Sequence, residues 1–181
     1  MIPEIKNNVF SKEDFNTLRN TLKEKVITEG GQYDDFGRKL FSPQIVNEYA
    51  EKLVPIAREF FKSDTLLHSY SLFSEYSNKN ISLPKHKDVN ACTYTIDLVV
   101  YQDKPWGIWI EGKEYLLNEN DAVLFWGTEQ DHWRETIENN ENTVAVVFFH
   151  YVEPDHWWFT KGPDYIHVIR NQKQESGEEY V

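Results

Sequence analysis

The chain has 181 residues and a formal net charge of −11, a length that suits one domain with a substantial hydrophobic core. The negative charge disfavours nucleic acid as a partner, because binding a phosphate backbone requires clustered Lys and Arg side chains. The single cysteine, Cys92, excludes an intrachain disulfide and a metal site built from several cysteines. No apolar stretch is long enough to span a membrane and the N-terminus lacks the features of a signal peptide, so we expect a cytoplasmic location.

The residue pattern predicts a single domain over residues 1–170, in which helices support a β-rich core. We expect the helical support in residues 1–62. We expect the core in residues 66–152, whose apolar runs are dense in β-branched and aromatic side chains. The aromatic segment 153–170 is expected to cover a sheet edge or an apolar surface, and the acidic segment 171–181 is expected to be mobile.

Two helix start signals lie in the N-terminal third. Ser11 followed by Asp14 resembles a capping box, and Ser42-Pro43 predicts a second start. Apolar residues then recur at helical spacing, as Phe15, Leu18, Leu22 and Val26 in the first segment and as Ile45, Tyr49, Leu53, Ile56 and Phe60 in the second. Gly30-Gly31 predicts the end of the first helix, and Pro55 predicts a kink or a break in the second.

Two segments of the predicted core carry side chains that suit one metal ion. His86-Lys87-Asp88 places an imidazole and a carboxylate two residues apart, and His132 follows a later strand-like segment. In an extended strand, residues i and i+2 point to the same side, so His86 and Asp88 can converge on one ion. Two imidazoles and one carboxylate suit an octahedral Fe(II) that keeps three positions open. The His-x-Asp spacing alone is weak evidence, because exposed charged residues are common.

Residues 66–152 resemble the double-stranded β-helix (jelly-roll) core of the Fe(II)- and 2-oxoglutarate-dependent oxygenases. The resemblance rests on His86 and Asp88 and on the segment from Gly112 to His132, which contains the sequence Asp-Ala-Val-Leu-Phe. It implies an α+β, mainly β fold in which N-terminal helices buttress the jelly roll. It also implies that His86, Asp88 and His132 bind Fe(II). The implied reaction converts 2-oxoglutarate to succinate while an unidentified substrate is hydroxylated.

The chain departs from this family at the residue that holds the far carboxylate of 2-oxoglutarate. Most members place an Arg or Lys in the strand after the second His, where this chain has Asn142 and no base. The nearest base after His132 is Arg134, which on an extended segment would face the same cavity as His132. We therefore expect Arg134 to bind 2-oxoglutarate, with Tyr94 and Thr143 as candidate hydroxyl donors to the same carboxylate.

Other interpretations of these residues stay open. Arg134 could instead pair with Glu135 or Asp131 at the surface. Because no base stands at the family's usual position for the far carboxylate of 2-oxoglutarate, the chain could instead be a cupin-like metal enzyme that does not use 2-oxoglutarate. The aromatic side chains allow a non-catalytic jelly-roll binding module, because one fold hosts unrelated functions. The sequence does not determine whether the substrate is a small molecule or a peptidyl side chain, nor does it determine the oligomeric state.

Overall fold

The computed structural model, which describes residues 1–29, 32–77, 80–138 and 142–165, has ten strands and three helices in these ranges. The strands are β1 (Glu4–Lys6), β2 (Arg38–Phe41), β3 (Leu67–Tyr76), β4 (Ile81–His86), β5 (Tyr94–Gln102), β6 (Ile108–Ile110), β7 (Lys113–Tyr115), β8 (Ala122–Phe125), β9 (His132–Ile137) and β10 (Val144–Val152). The helices are α1 (Lys12–Glu29), α2 (Gln44–Phe61) and α3 (Trp157–Lys161), and a short 3₁₀ turn spans Asn90–Cys92. The predicted helix end at Gly30-Gly31 and the acidic segment 171–181 lie outside the described residues.

The strands form two antiparallel sheets. The larger sheet has the order β1-β8-β5-β10-β3-β2, and the smaller sheet has the order β4-β9-β6-β7. Most neighbouring strands are distant in sequence, as expected for a jelly roll, whereas β2 and β3 and the hairpin strands β6 and β7 are consecutive. Buried side chains from both sheets pack together between them, among them Tyr76 and Phe125 from the larger sheet and Ile81 and Ile108 from the smaller one. This architecture confirms the predicted mainly β jelly roll with supporting helices.

Helices α1 and α2 cover the outer face of the larger sheet. The Ser11 Oγ accepts a hydrogen bond from the Asp14 backbone N–H at 3.1 Å, as the capping-box pattern predicts, and α1 begins at the next residue after Ser11. Both helices bury an apolar stripe against the sheet, formed by Phe15, Leu18 and Leu22 in α1 and by Val46, Tyr49, Ala50, Leu53, Ala57 and Phe61 in α2. No helix in the described ranges has the length and apolarity needed to cross a membrane.

The region predicted as helical support also contains two strands. Strands β1 and β2 extend the larger sheet at its two edges, where β1 pairs with β8 and β2 pairs with β3. Helix α2 begins one residue later than predicted, with Pro43 as its N-cap, and it continues through Pro55, so the predicted break does not occur. The buried stripe on both sides of Pro55 holds the helix against the sheet, which offsets the hydrogen bond that a proline cannot make.

Packing between α1 and the larger sheet should contribute several kcal/mol to stability. Leu22 is fully buried in this layer, so we expect Leu22→Ala to lower the free energy of unfolding by about 2–5 kcal/mol, through lost burial and an unfilled cavity. Leu116, which is 57% exposed, offers a matched control in which Leu116→Ala changes stability by less than about 0.5 kcal/mol. Urea unfolding followed by circular dichroism measures both, and equal effects would contradict this packing.

Candidate active site

The three predicted metal ligands lie together at one end of the jelly roll. His86 is the last residue of β4 and His132 is the first residue of β9, and the two residues are direct partners in the antiparallel pairing. Their rings lie side by side, with centroids 4.2 Å apart. The Asp88 Oδ1 atom lies 3.6 Å from the Nε2 atom of each histidine. The structure therefore brings an oxygen and two nitrogens into a group of metal-ligand size.

Hydrogen bonds to the backbone set the orientation of both imidazoles. The Nδ1 atom of His86 lies 2.7 Å from the Pro84 carbonyl oxygen, and the Nδ1 atom of His132 lies 3.0 Å from the Gln130 carbonyl oxygen. A proton on each Nδ1 donates to its carbonyl, which leaves the Nε2 lone pair directed at the position between the three side chains. This second layer of hydrogen bonds is typical of metal-binding histidines.

The carboxylate of Asp88 is held by its own backbone and by a neighbouring strand. The Asp88 N–H donates to the Gly127 carbonyl at 2.9 Å, and the Thr95 Oγ1 donates to Asp88 Oδ2 at 3.2 Å. Gly127 leaves the room for this arrangement, since a Cβ atom at that position would lie 2.2 Å from Asp88 Oδ2 and 2.5 Å from the Cys92 carbonyl oxygen. A side chain at position 127 would therefore displace the carboxylate.

The charges of the three side chains are coupled. Burial by itself would raise the pKa of the Asp88 carboxyl, but the imidazoles of His132 and His86 hold that pKa well below its usual range. Asp88 is therefore ionised at neutral pH, the state in which a carboxylate binds a metal. Burial lowers the pKa of His132, but Asp88, the Gln130 carbonyl and Asp97 together outweigh burial, so the pKa of His132 is raised. A metal that binds His132 must displace the proton of its imidazolium form. Acid would therefore weaken metal binding at this site.

A cavity of about 360 Å³ opens beside the triad. Its walls are apolar where Leu72 and Phe148 line it, and aromatic at Tyr70. Arg38 and Lys87 supply positive charge. The volume lies within the range of small-molecule sites, and the mixture of apolar walls with a few polar groups is typical of them. Trp158 of α3 stacks on Tyr70 with ring centroids 5.0 Å apart, so the aromatic C-terminal segment covers one side of this region.

Arg134 points into the interior of the jelly roll and not to the surface. Only 2% of this residue is exposed, its Nη1 donates to the Trp106 carbonyl at 2.5 Å, and its guanidinium lies 5.2 Å from the centre of the Trp106 ring. Its nearest carboxylate is Asp97, with 3.9 Å between Arg134 Nη2 and Asp97 Oδ2. The alternative surface pairing with Glu135 or Asp131 is therefore wrong.

The interior near Arg134 holds polar atoms that lack hydrogen-bond partners within the described residues. They are Nε and Nη2 of Arg134, both carboxylate oxygens of Asp97, the Ser74 Oγ and the Tyr76 hydroxyl. Burial raises the pKa of Asp97 to about 7, and the attraction of Arg134 opposes this rise only in part. Buried polar atoms without partners are costly, so this group of residues is a candidate ligand site.

Tyr94 and Thr143, the other predicted 2-oxoglutarate contacts, lie elsewhere. The Tyr94 ring packs against Phe61 of α2 with centroids 4.8 Å apart, on the outer face of the larger sheet. The Thr143 Oγ1 lies 3.1 Å from the Ser77 Oγ, and neither Tyr94 nor Thr143 is among the residues that line the cavity. Their assignment to 2-oxoglutarate stays a prediction that their position does not support.

Thr95, Asp97 and His150 are among the cavity residues that had no role in the predicted site. Thr95 and Asp97 alternate along β5 on the face opposite to Tyr94, so the strand period identifies them as inward-facing. A charged residue in the apolar run of β5 was the signal that could have identified Asp97. Burial lowers the pKa of His150 to about 4, so this imidazole is neutral at pH 7.

The close fit between Gly127 and Asp88 leads to a prediction about metal affinity. We expect Gly127→Ala to weaken Ni²⁺ binding by about 10- to 100-fold, the usual effect of disturbing the groups that support a metal ligand. Gly107→Ala is a matched control, because the added Cβ meets only the Glu114 side chain, which is exposed and can move. Isothermal titration calorimetry on both variants measures the change. Unchanged affinity in a folded Gly127→Ala protein would contradict the role of this glycine.

No protein-family model matches the sequence, and no curated protein matches it significantly. Solved structures do match. SnoK, a non-heme α-ketoglutarate-dependent carbocyclase from nogalamycin biosynthesis, has a TM-score of 0.69 at 11% identity, covering 84% of this chain and 80% of that chain. HygX from Streptomyces hygroscopicus, solved with nickel and 2-oxoglutarate bound, has a TM-score of 0.62 at 9% identity, with 84% and 83% covered.

A third match extends the range of reactions found on this fold. The prolyl-4-hydroxylase from Pseudomonas putida has a TM-score of 0.62 at 9% identity, covering 82% of this chain and 91% of that chain. At such low identities the similarity establishes architecture, because one fold supports many reactions. The chain has the double-stranded β-helix fold of the Fe(II)- and 2-oxoglutarate-dependent oxygenases.

Proposed function

We propose that this protein is an Fe(II)- and 2-oxoglutarate-dependent dioxygenase. In the proposed reaction 2-oxoglutarate is converted to succinate while a small-molecule or peptidyl substrate is hydroxylated, in the cytoplasm. The observation that carries the proposal is the convergence of His86, Asp88 and His132 beside a cavity. The fold similarity to SnoK and HygX supports the same reaction class.

The donor set suits iron in particular. Two imidazole nitrogens and one carboxylate oxygen on one face are the ligands expected for a non-heme Fe(II) that activates oxygen. When bound, iron and the keto acid would supply the oxidising chemistry. The protein's own residues hold the metal, orient the cosubstrate and exclude water. Asp88 is ionised at neutral pH and both imidazoles present Nε2, so the ligands are preorganised.

The group of buried polar atoms near Arg134 is our candidate subsite for the far carboxylate of 2-oxoglutarate. Arg134 lies two residues beyond His132 on β9, which places it about 7 Å deeper in the jelly roll, comparable to the length of a five-carbon dicarboxylate. A carboxylate there would accept hydrogen bonds from Nε and Nη2 of Arg134 and from the Ser74 and Tyr76 hydroxyls, atoms without a hydrogen-bond partner among the described residues. Such charge-assisted bonds are the strongest available for this purpose.

One observation favours a second candidate, a cupin-like metal enzyme that does not use 2-oxoglutarate. Asp97 lies beside Arg134 and, when ionised, compensates part of its charge. The pKa of Asp97 is about 7, so a substantial fraction of the carboxylate is ionised at neutral pH. In that state Arg134 attracts a second carboxylate less strongly. Binding of 2-oxoglutarate to the iron-loaded protein separates the two candidates.

Formation of the ternary complex tests the reaction class without knowledge of the substrate. We expect anaerobic addition of Fe(II) and then 2-oxoglutarate to the metal-free protein to produce the weak visible charge-transfer band of a chelated keto acid. His86→Ala, Asp88→Ala and His132→Ala should each abolish the band while circular dichroism stays unchanged. Iron binding without a band would favour the cupin-like candidate, and the absence of both would favour a non-catalytic binding module.

Replacement of Arg134 tests whether this residue binds the far carboxylate of 2-oxoglutarate. We expect Arg134→Gln to raise the dissociation constant for 2-oxoglutarate by about 10- to 150-fold, because a hydrogen bond to a charged group contributes about 1.5–3 kcal/mol. Arg19, which pairs with Glu119 away from the cavity, provides the control variant Arg19→Gln. The visible band measures affinity, and retained iron binding checks the fold. If Arg38→Gln but not Arg134→Gln loses affinity for 2-oxoglutarate, the far carboxylate is bound by Arg38 at the cavity wall and not by Arg134.

A further inference from the structure

We propose that the cavity contains a second metal site, suited to Zn²⁺, formed by Cys92, His150 and the second carboxylate oxygen of Asp88. One ligand atom from each of these residues lies within 4.8 Å of the others. Cys92 and His150 are both buried and both line the cavity. Neither residue takes part in the site proposed for iron, so this second group of ligands has no role in the proposed oxygenase reaction.

The fold positions this second group through neighbouring strands. Cys92 ends the 3₁₀ turn that connects the Asp88 segment to β5, and His150 lies on β10 directly opposite Thr95 of β5. The Thr95 Oγ1 lies 3.2 Å from Asp88 Oδ2, 3.2 Å from His150 Nδ1 and 3.1 Å from the Cys92 carbonyl oxygen. The Thr95 hydroxyl, which donates to Asp88 Oδ2 and can accept from His150 Nδ1–H, therefore links two of the three proposed ligands, and it lies beside the backbone of the third.

The orientation of His150 follows the pattern seen for the two histidines of the first site. Its Nδ1 is engaged by Thr95, as the Nδ1 atoms of His86 and His132 are engaged by backbone carbonyls. When Nδ1 carries the proton and donates to Thr95, the Nε2 lone pair of His150 is available to a metal. His150 therefore has the arrangement of a metal ligand, although it lies on the opposite sheet from His86 and His132.

The two oxygens of Asp88 face different groups. Oδ1 is 3.6 Å from the Nε2 atoms of His86 and His132, whereas Oδ2 is the oxygen that contacts Thr95 beside His150. A carboxylate with this orientation can bridge two metal ions, with one oxygen on each. Such a geometry suits a pair of metal ions bridged by one carboxylate.

The chemistry of the second group differs from that of the first. A thiolate is a soft ligand that selects Zn²⁺ over harder cations, and Zn²⁺ accepts sulfur, nitrogen and oxygen ligands in tetrahedral geometry. The Tyr70 hydroxyl lies 2.8 Å from the Cys92 Sγ, and the Tyr70 ring packs 4.8 Å from the His150 ring. Tyr70 can therefore stabilise the thiolate or complete the coordination. Binding releases the proton of the Cys92 thiol to solvent.

Cobalt provides a direct probe, because Co²⁺ replaces Zn²⁺ and a Co²⁺–thiolate bond gives an intense near-ultraviolet charge-transfer band. The chain has one cysteine, so any such band reports Cys92. We expect anaerobic titration of the metal-free full chain with Co²⁺ to produce the band, and added Zn²⁺ to remove it. Cys92→Ser and His150→Gln should each lose the band. Serine at position 92 keeps a polar contact for Tyr70, and Cys92→Ala serves as a second variant if serine disturbs folding.

A variant of the first site separates this proposal from the proposed oxygenase function. His86→Ala disrupts the first site but leaves Cys92, His150 and Asp88 in place, so we expect it to retain the thiolate band. Failure of the iron and 2-oxoglutarate experiment would leave this result unchanged. The absence of a band in the wild-type protein would overturn the second site. A band that persists in a folded His150→Gln protein would overturn it too, because the cysteine would then bind metal alone.

Discussion

The direct pairing of His86 with His132 across β4 and β9 is the constraint on which the whole site depends. Opposite residues in an antiparallel pair have Cα atoms only about 4.5–5.5 Å apart, so two imidazoles arrive side by side without a specialised loop. Asp88 follows two residues later, where the chain leaves the smaller sheet, and its N–H bonds to the Gly127 carbonyl beyond the end of β8. The two sheets of the jelly roll therefore meet at this carboxylate.

The interior of the jelly roll becomes polar again beyond the proposed metal ligands. Leu72, Phe125 and Phe148 line the cavity together with Asp97, the carboxylate that lies beside Arg134. The Arg134 guanidinium and the Asp97 carboxylate are buried 3.9 Å apart without a hydrogen bond between them. Burying the two groups costs free energy that their attraction does not recover. Departures of this kind from good core packing are expected where a protein binds a ligand.

Local spacing in the sequence predicts that His86 and Asp88 converge, whereas the prediction of His132 as the third ligand and of the jelly-roll fold depended on the resemblance to the oxygenase family. His86 and Asp88 are two residues apart on an extended segment, and the capping pattern at Ser11 is read from neighbouring residues. Strands β1 and β2 have three and four residues and carry no period, so only their pairing partners in the larger sheet reveal them. The assignment of Tyr94 depended on the phase of β5, where a shift of one residue moves a side chain from the cavity to the helix layer. The burial of Arg134 depends on Trp106, which is distant in sequence.

For the proposed oxygenase, selectivity for a substrate would come from parts of the chain outside the strands that hold the triad. The fold similarity extends over a carbocyclase and a prolyl-4-hydroxylase, so the proposed metal ligands alone do not distinguish substrates. In this chain the cavity is also lined by Arg38 and Leu40 of the edge strand β2 and by Tyr70, on which Trp158 of α3 stacks. These residues combine one cation with aromatic and aliphatic surface. A substrate with an anionic or hydrogen-bond-accepting group beside an apolar face would match both the cation and the apolar surface. Substitutions in β2 and α3 would change that preference.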